Sequence, residues 1–592
     1  MSESLYCRTC AAVSRTVQPR YGFTLPLISR LLTLAGVVVL IGMLPWISGQ
    51  DPALALLRAR SGEQEATVET LNAIRQSLGL DRGPLHLLWE WLKGLLRGDA
   101  GNSWVSGRPV LPGMLQAAGV SLTLMLSAAT VALSLAALLC APTLLKGLHG
   151  RVRRSGGMFA ALFTALPEFL LASFLLIVGA VWLRWFPPYG WQGMHYIVLP
   201  SLALGIPAGG YLGRIIGDAL AGTFSENWIA TWSTAGIPRR HIILAVLKRT
   251  LPGVMPLVGL VLVSLTGGAI AVEKVFAIPG IGRATLGAAA AQDVPALQAG
   301  VLILLLVASL AGMFAGAVRL LILGHALRSG AMPVQEDSAG PISRRAFWLP
   351  LGCLLLLVLL LAAGVPRDPN TSEFLRLQIP SLDLPFGADA MGRDLLARVA
   401  HGTLHTCLLA LVVSLNCLGI GLLIGLFPRL FTGPIEVTNA LPPVIAGLVV
   451  AAINGPTMTG AAIAVIAVSW APLAAHTAAL VTEINARPYI RMLPVLGVGA
   501  VRRSLLYVLP ALLGPLFRHA MLRLPGIALA LASLGFLGLG APPPTPEWGR
   551  VLAEGMPYIE RAYWGVLAPA TALCVLSILA VSAANLSGRR QQ

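Results

Sequence analysis

Along this chain, apolar runs long enough to cross a bilayer alternate with shorter polar segments that carry arginine. A helical span needs about 20 mostly apolar residues. The first half supplies such runs near 28–48, 117–145, 157–183, 195–217, 252–272 and 296–318. The second half supplies them near 346–365, 403–427, 435–453, 458–482, 513–540 and 562–586. This pattern predicts an all-α polytopic membrane protein of about twelve transmembrane helices, six in each half. Between the first two spans, residues 50–115 form a longer segment of mixed charge. Its stretches from Val68 and Leu85 place apolar residues at helical spacing, which predicts helices packed onto the outer ends of the spans.

The two halves repeat each other. Ala165-Leu166-Pro167 opens the third span of the first half, and Ala440-Leu441-Pro442 opens the third span of the second. Six spans per half return the second half to the membrane in the orientation of the first, so the repeat is parallel, about an axis along the membrane normal. A pathway is expected at the interface between such repeats. The predicted division is a first half over 1–326, a linker over 327–345 and a second half over 346–592. The linker carries Met-Pro-Val-Gln-Glu-Asp-Ser-Ala-Gly-Pro and reads as a cytoplasmic tether.

Composition sharpens the class. Of the 592 residues, 56% are hydrophobic and 11% charged, against about 25% charged in soluble proteins. Too few polar side chains are present to coat several soluble domains. The net charge of +17 is carried mainly by arginine. Such charge in a soluble protein would suggest nucleic acid, but cytoplasmic loops of membrane proteins collect the same residues. No nucleic-acid partner is expected. The short-loop bias places both termini in the cytoplasm, with membrane lipid around the spans. The first run lacks a small-residue cleavage site and reads as a retained helix. Cys7 and Cys10 form one CxxC without a second pair, a weak signal for zinc or redox chemistry. No metal or cofactor is expected.

The most informative feature is a paired segment between the fourth and fifth spans of each half. One copy runs from Glu226 through Ala235-Gly236 to Arg239-Arg240 and ends at Leu251-Pro252. The other runs from Pro488 through Leu496-Gly497 to Arg502-Arg503 and ends at Leu509-Pro510. Each reads as a short helix, a glycine able to adopt positive φ, and a second helix leading into a span. A rigid basic projection of this kind can transmit a push from a soluble partner.

On these residues the chain resembles the dipeptide/oligopeptide/nickel permeases of binding-protein-dependent ABC importers, whose signature is the EAA-type loop. The first half is similar to one permease subunit through Leu78-Gly-Leu-Asp-Arg82, Leu96-Arg-Gly-Asp99, Val105-Ser-Gly-Arg-Pro-Val110 and the run Val272 to Gly282. The second half is similar to the other through Phe386 to Asp394, Ala532 to Gly540 and Pro543 to Gly549. The chain thus looks like two permease subunits fused. The resemblance implies a bacterial inner-membrane location, two ATP-binding cassette ATPases docked on the loops and an extracytoplasmic solute-binding protein at the outer mouth. It also implies that peptides, nickel, metal chelates or opines are the substrate class. Carried over residue by residue, the ATPase-coupling positions are Ala235, Gly236, Arg239 and Arg240, with Leu496, Gly497, Arg502 and Arg503.

Three departures from that pattern stand out. Thr231-Trp232-Ser233-Thr234 replaces the usual alanine-rich helix in one copy. Pro494 interrupts the other, with Arg491 where an acidic residue is common, and a proline inside a helix costs roughly 3 kcal/mol. Leu531 stands where the family often has Glu before Ala-Ser-Leu.

The chain lacks its own engine. A P-loop needs a lysine followed by Ser or Thr, and Lys93, Lys146, Lys248 and Lys274 are followed by Gly94, Gly147, Arg249 and Val275. ATP hydrolysis is therefore assigned to partner chains. An ion-coupled secondary transporter is the alternative class, but it would want ionisable residues deep in the spans. Glu168, Arg214, Asp218, Arg518, His519 and Arg523 are few and mostly near span ends. No constellation of nucleophile, base or metal ligands suggests an enzyme.

Overall fold

A computed structural model describes residues 24–47, 53–54, 57, 67–77, 82–148, 163, 167–323, 347–439 and 441–587. Cys7, Cys10 and the linker 327–345 lie outside the described residues. Inside a bilayer no water is available to bond backbone amides, so each crossing segment must satisfy its own hydrogen bonds as a helix. The described residues accordingly form helices joined by turns and three isolated β-bridges.

Seven helices are long and apolar enough to cross: Val110–Gly147, His195–Phe224, Leu257–Val275, Val294–Phe314, Leu395–Gly425, Met458–Ala486 and Val501–Leu537. The pair Gly433–Asn439 and Pro443–Asn454, bent by 94°, occupies an eighth position. Four shorter apolar helices, Leu31–Gly42, Glu168–Trp182, Trp348–Gly364 and Trp564–Leu579, lie at the remaining predicted places. Each predicted span thus coincides with an apolar helix, but among the described residues only seven, or eight with the bent pair, are long enough to cross, against the twelve expected.

Hydropathy sorts the helices by position. Leu395–Gly425 has mean hydropathy 2.5 and His195–Phe224 only 1.3, while 28% and 67% of their most apolar windows are buried in protein. The outer helix meets lipid and needs apolar side chains, whereas the central one meets other helices and needs small ones. In the first half, the second and fourth spans touch through Gly205, Gly209 and Gly213, set against Ala128, Ala132 and Ala136. A Cβ on Gly209 would sit 2.8 Å from the Ala132 carbonyl oxygen, so only glycine allows this approach. In the second half the same two spans meet, but the glycines have changed sides. Gly425 on the second span faces Ala474 and Thr477 on the fourth.

The predicted outer segment packs as expected. Helix Pro84–Leu96 presses Leu88 and Trp91 onto Gly42 at the end of the first span. Its other face keeps Leu85, Trp89 and Leu96 exposed.

Candidate functional site

The two paired segments fold alike around their glycines. Helix Asn227–Thr234 stops at Ala235, and Gly236 takes φ +74°. The Gly236 amide donates to Ser233 O at 3.2 Å and the Ile237 amide to Trp232 O at 3.1 Å. Helix Pro488–Met492 continues as turns to Leu496, and Gly497 takes φ +79°. There the Gly497 amide donates to Pro494 O at 3.1 Å and the Val498 amide to Leu493 O at 3.0 Å. Both are Schellman closures, in which a left-handed glycine lets two amides satisfy the carbonyls a helix end leaves open. A Cβ on either glycine would meet nothing within 4 Å. The requirement for glycine is therefore conformational rather than one of space.

Each turn rests on its own apolar anchor. Ile229 packs with Cys140, Leu220, Phe224, Ile242 and Val246. Ile490, seven residues before its glycine as Ile229 is before Gly236, packs with Val481, Ile484, Leu493, Val508 and Leu512.

The flanking chemistry differs. Glu226 accepts from Arg249 at 2.7 Å and from the Trp228 indole at 2.7 Å, tying the first short helix to the long helix behind it. Ten residues before the second glycine the sequence has Arg487, which reaches back to Glu483 at 3.2 Å. That hydrogen bond holds the Arg487 guanidinium above its ordinary pKa range. Upstream of Pro494 the regular helix starts at the matching position but spans five residues against eight in the first copy, so it ends early rather than beginning late. Of the predicted positions, Ala235, Gly236, Arg239, Arg240, Leu496, Gly497 and Arg502 are exposed. Arg503 is half-buried, and its Nε has no hydrogen-bond partner.

Sequence reasoning missed what lies at the far end. From the first turn, helix Arg239–Val275 runs 37 residues, about 55 Å at 1.5 Å per residue. From the second, a π-helical stretch Ser504–Val508 leads into helix Leu509–Leu537. The two meet where Lys274 Nζ donates to Phe536 O at 2.8 Å. Phe169 stacks on Phe536 at 5.4 Å, Trp182 meets Tyr563 edge-on at 5.9 Å, and Ser173 Oγ reaches Met556 Sδ at 3.4 Å. Each of these contacts joins one half to the other. The fifth spans of both halves therefore connect a glycine turn at one end to a shared closure at the other. Single aromatic residues in apolar runs gave no sequence signal for this.

Buried carboxylates brace the closure. Glu273, fully buried, accepts from Ser121 Oγ and from the Arg283 amide at 3.0 Å. Glu547, beyond the fifth span of the second half, is also buried and accepts only a long bond from the Ala541 amide, 3.4 Å. Burial pushes its carboxyl up to about 7, against small opposing effects of that amide and of Arg550.

Two parallel helical repeats, each with a basic glycine turn at one end and a shared closure at the other, define a membrane transport component. Comparison with known proteins narrows this. The chain belongs to the family of binding-protein-dependent transport system inner membrane components, which matches at residues 133–324 and again at 418–592. It is 38% identical over 205 residues to the Di/tripeptide transport system permease protein DppC of Pseudomonas aeruginosa, covering 33% of this chain and 67% of that one. It is 36% identical over 211 residues to the Dipeptide transport system permease protein DppC of Escherichia coli K12, covering 34% and 69%. It is 31% identical over 283 residues to the Glutathione transport system permease protein GsiC of Salmonella choleraesuis, covering 46% and 87%. Most of each relative thus fits within less than half of this chain, as expected of two permeases joined. The protein is a multi-pass inner-membrane permease component of an ABC importer, and not an enzyme. Membership implies ATPase and substrate-binding-protein partners in general.

Proposed function

We propose that this single chain supplies both permease halves, over 1–326 and 346–592 with 327–345 as tether, of an importer for short peptides. Two ATPase subunits dock on the turns at Ala235, Gly236, Arg239 and Arg240, and at Leu496, Gly497, Arg502 and Arg503. A solute-binding protein delivers substrate at the opposite end. Both termini lie in the cytoplasm, with the turns. The observation that carries this reading is that each fifth span runs from a glycine turn to the Lys274–Phe536 closure.

Mechanistically, ATP-driven approach of the two ATPases draws the turns together. The Schellman closures and their apolar anchors keep each turn rigid, so the displacement passes into the helix behind it. That helix ends at the closure, where Phe169, Phe536, Trp182 and Tyr563 separate and open the far end. The switch requires partner contacts that differ between the two states. Peptide is favoured because the named relatives carry dipeptides, tripeptides and glutathione in their descriptions; nickel gains no support from them.

The test is uptake of a labelled dipeptide, of glutathione and of nickel in cells carrying the complete transport operon, with this chain present or deleted. Cellular ATP or the proton gradient is collapsed selectively. Chain-dependent peptide uptake that follows ATP is expected. Uptake that vanishes with the proton gradient while ATP stays high would sink the importer mechanism. Chain-dependent uptake of nickel alone would overturn the substrate class.

A further inference from the structure

Away from both turns, the external segment of the second half folds over the start of its second span and encloses a dense charge cluster. Asp389 accepts from Arg393 Nε at 2.7 Å and lies 3.6 Å from Arg398 Nε. Glu554 receives three guanidinium groups: Arg393 at 3.0 Å, Arg398 at 2.8 Å and Arg550 at 2.9 Å. Asp394 does not add to their balance, since it pairs with Arg367 at 2.9 Å and caps its own helix. Glu547 lies buried nearby and forms no ion pair with Arg550, whose charged partner is Glu554. Two carboxylates therefore face three arginines.

The deepest of the three is Arg398, which pairs with Glu554 at 2.8 Å and lies 3.6 Å from Asp389. Its side chain is 0% exposed, and its Nε and Nη1 have no hydrogen-bond partner. Arg398 lines a cavity of about 20 Å³ together with Ala388, Asp389, Ala390, Glu554 and Tyr558. Arg376 adds positive potential from the rim, donating to Tyr558 Oη at 3.0 Å and lying over its ring. A buried guanidinium with open donors is costly. The space suits about one small sphere. A water could take up the donors but would leave the charge unbalanced.

We propose that this cavity binds one chloride-sized monovalent anion, held by Arg398 and completing the charge balance among Arg393, Arg398, Arg550, Asp389 and Glu554. The ion pins the external segment 366–394 to the helices beginning at Leu395 and Trp548. It is a structural ligand, distinct from the transported solute.

The full-length chain in lipid nanodiscs is melted in chloride and in gluconate at equal ionic strength. Chloride is expected to raise the midpoint by about 2–4 °C, bromide to reproduce the rise, and bromide anomalous scattering to peak beside Arg398. Arg398→Met is expected to lose the halide-dependent shift. Ala390→Asp, which adds a fixed carboxylate to the cavity wall, is expected to melt alike in both salts. Because Arg398→Met removes a buried group and can fail to fold, the anomalous map and Ala390→Asp decide independently. Equal midpoints of the native chain in both salts, a site holding only water in bromide, or a halide shift persisting in Ala390→Asp would each overturn the proposal.

Discussion

The two glycine turns share a backbone and differ in almost everything that faces outward. Both close with the same pair of amide bonds around a left-handed glycine, and both rest on a buried isoleucine. Yet the first surrounds its glycine with Trp232, Thr234, Arg239 and Arg240 and is locked by Glu226 to Arg249. The second exposes Met492, Val495, Leu496 and Val501, with Leu496 72% exposed. The contrast separates two requirements. Transmitting a push needs a stiff turn, which the glycine and the anchor supply in both copies. Choosing a partner needs a particular face, and the two faces differ.

The strongest way to break this comparison is to remove what the turns share. Replacing Gly236 and Gly497 together with Val forces a β-branched residue into positive φ, at roughly 1–2 kcal/mol or more per site. Uptake is expected to fall at least tenfold while the partner ATPases continue to hydrolyse ATP. Undiminished uptake in the assembled double variant would remove the coupling role from both turns.

A second contrast lies at the far ends, where Glu273 is well supplied with donors and Glu547 is not. Burial pushes the Glu547 carboxyl up to about 7 in the folded protein, against about 4.3 when unfolded. Its folded pKa is raised, so the stability it contributes is complete below about pH 4 and is lost as pH rises through 7. The loss is on the order of 1–3 kcal/mol. Thermal midpoints between pH 5 and 8 are expected to fall for the native chain and to flatten for Glu547→Gln. Parallel curves would show that Glu547 does not carry the effect.

The proposed docking faces give a third, smaller difference. Exposed ion pairs weaken as salt rises, and apolar contacts do not. Arg239→Ala with Arg240→Ala should weaken ATPase binding about threefold to tenfold at low salt, about 0.6–1.4 kcal/mol, and little at high salt. Leu496→Ser should weaken it by a similar factor at all salt concentrations. Matching salt profiles would erase the distinction between the two faces. The smallest effect is expected from Glu226→Gln, which releases the half-exposed tie to Arg249 at about 0.5–1 kcal/mol. Proteolytic nicking near the first turn should rise modestly, with the second turn unchanged; equal rates before and after would show the tie to be dispensable.

Much of this was legible in the residues. The apolar runs announced the apolar helices, because lipid permits only a segment that bonds its own backbone, though they announced twelve crossings where seven or eight described helices are long enough. The glycines of the paired segments announced the turns, because glycine alone adopts positive φ without strain, whereas the early end of the second short helix was not read from Pro494. The paired runs also announced the family. The sequence alone therefore determined the class, the repeat and the place of each turn, all of which follow from local covalent and solvation constraints.

Tertiary structure decided what depends on residues distant in the chain. Lys274 finds Phe536, Phe169 finds the same ring, and three arginines converge on Glu554 only after helices from both ends of a half have packed. Neither the closure nor the buried charge cluster around Arg398 leaves a spacing to read. A contact between residues hundreds of positions apart is fixed by helix packing, and packing depends on every side chain along the interface at once.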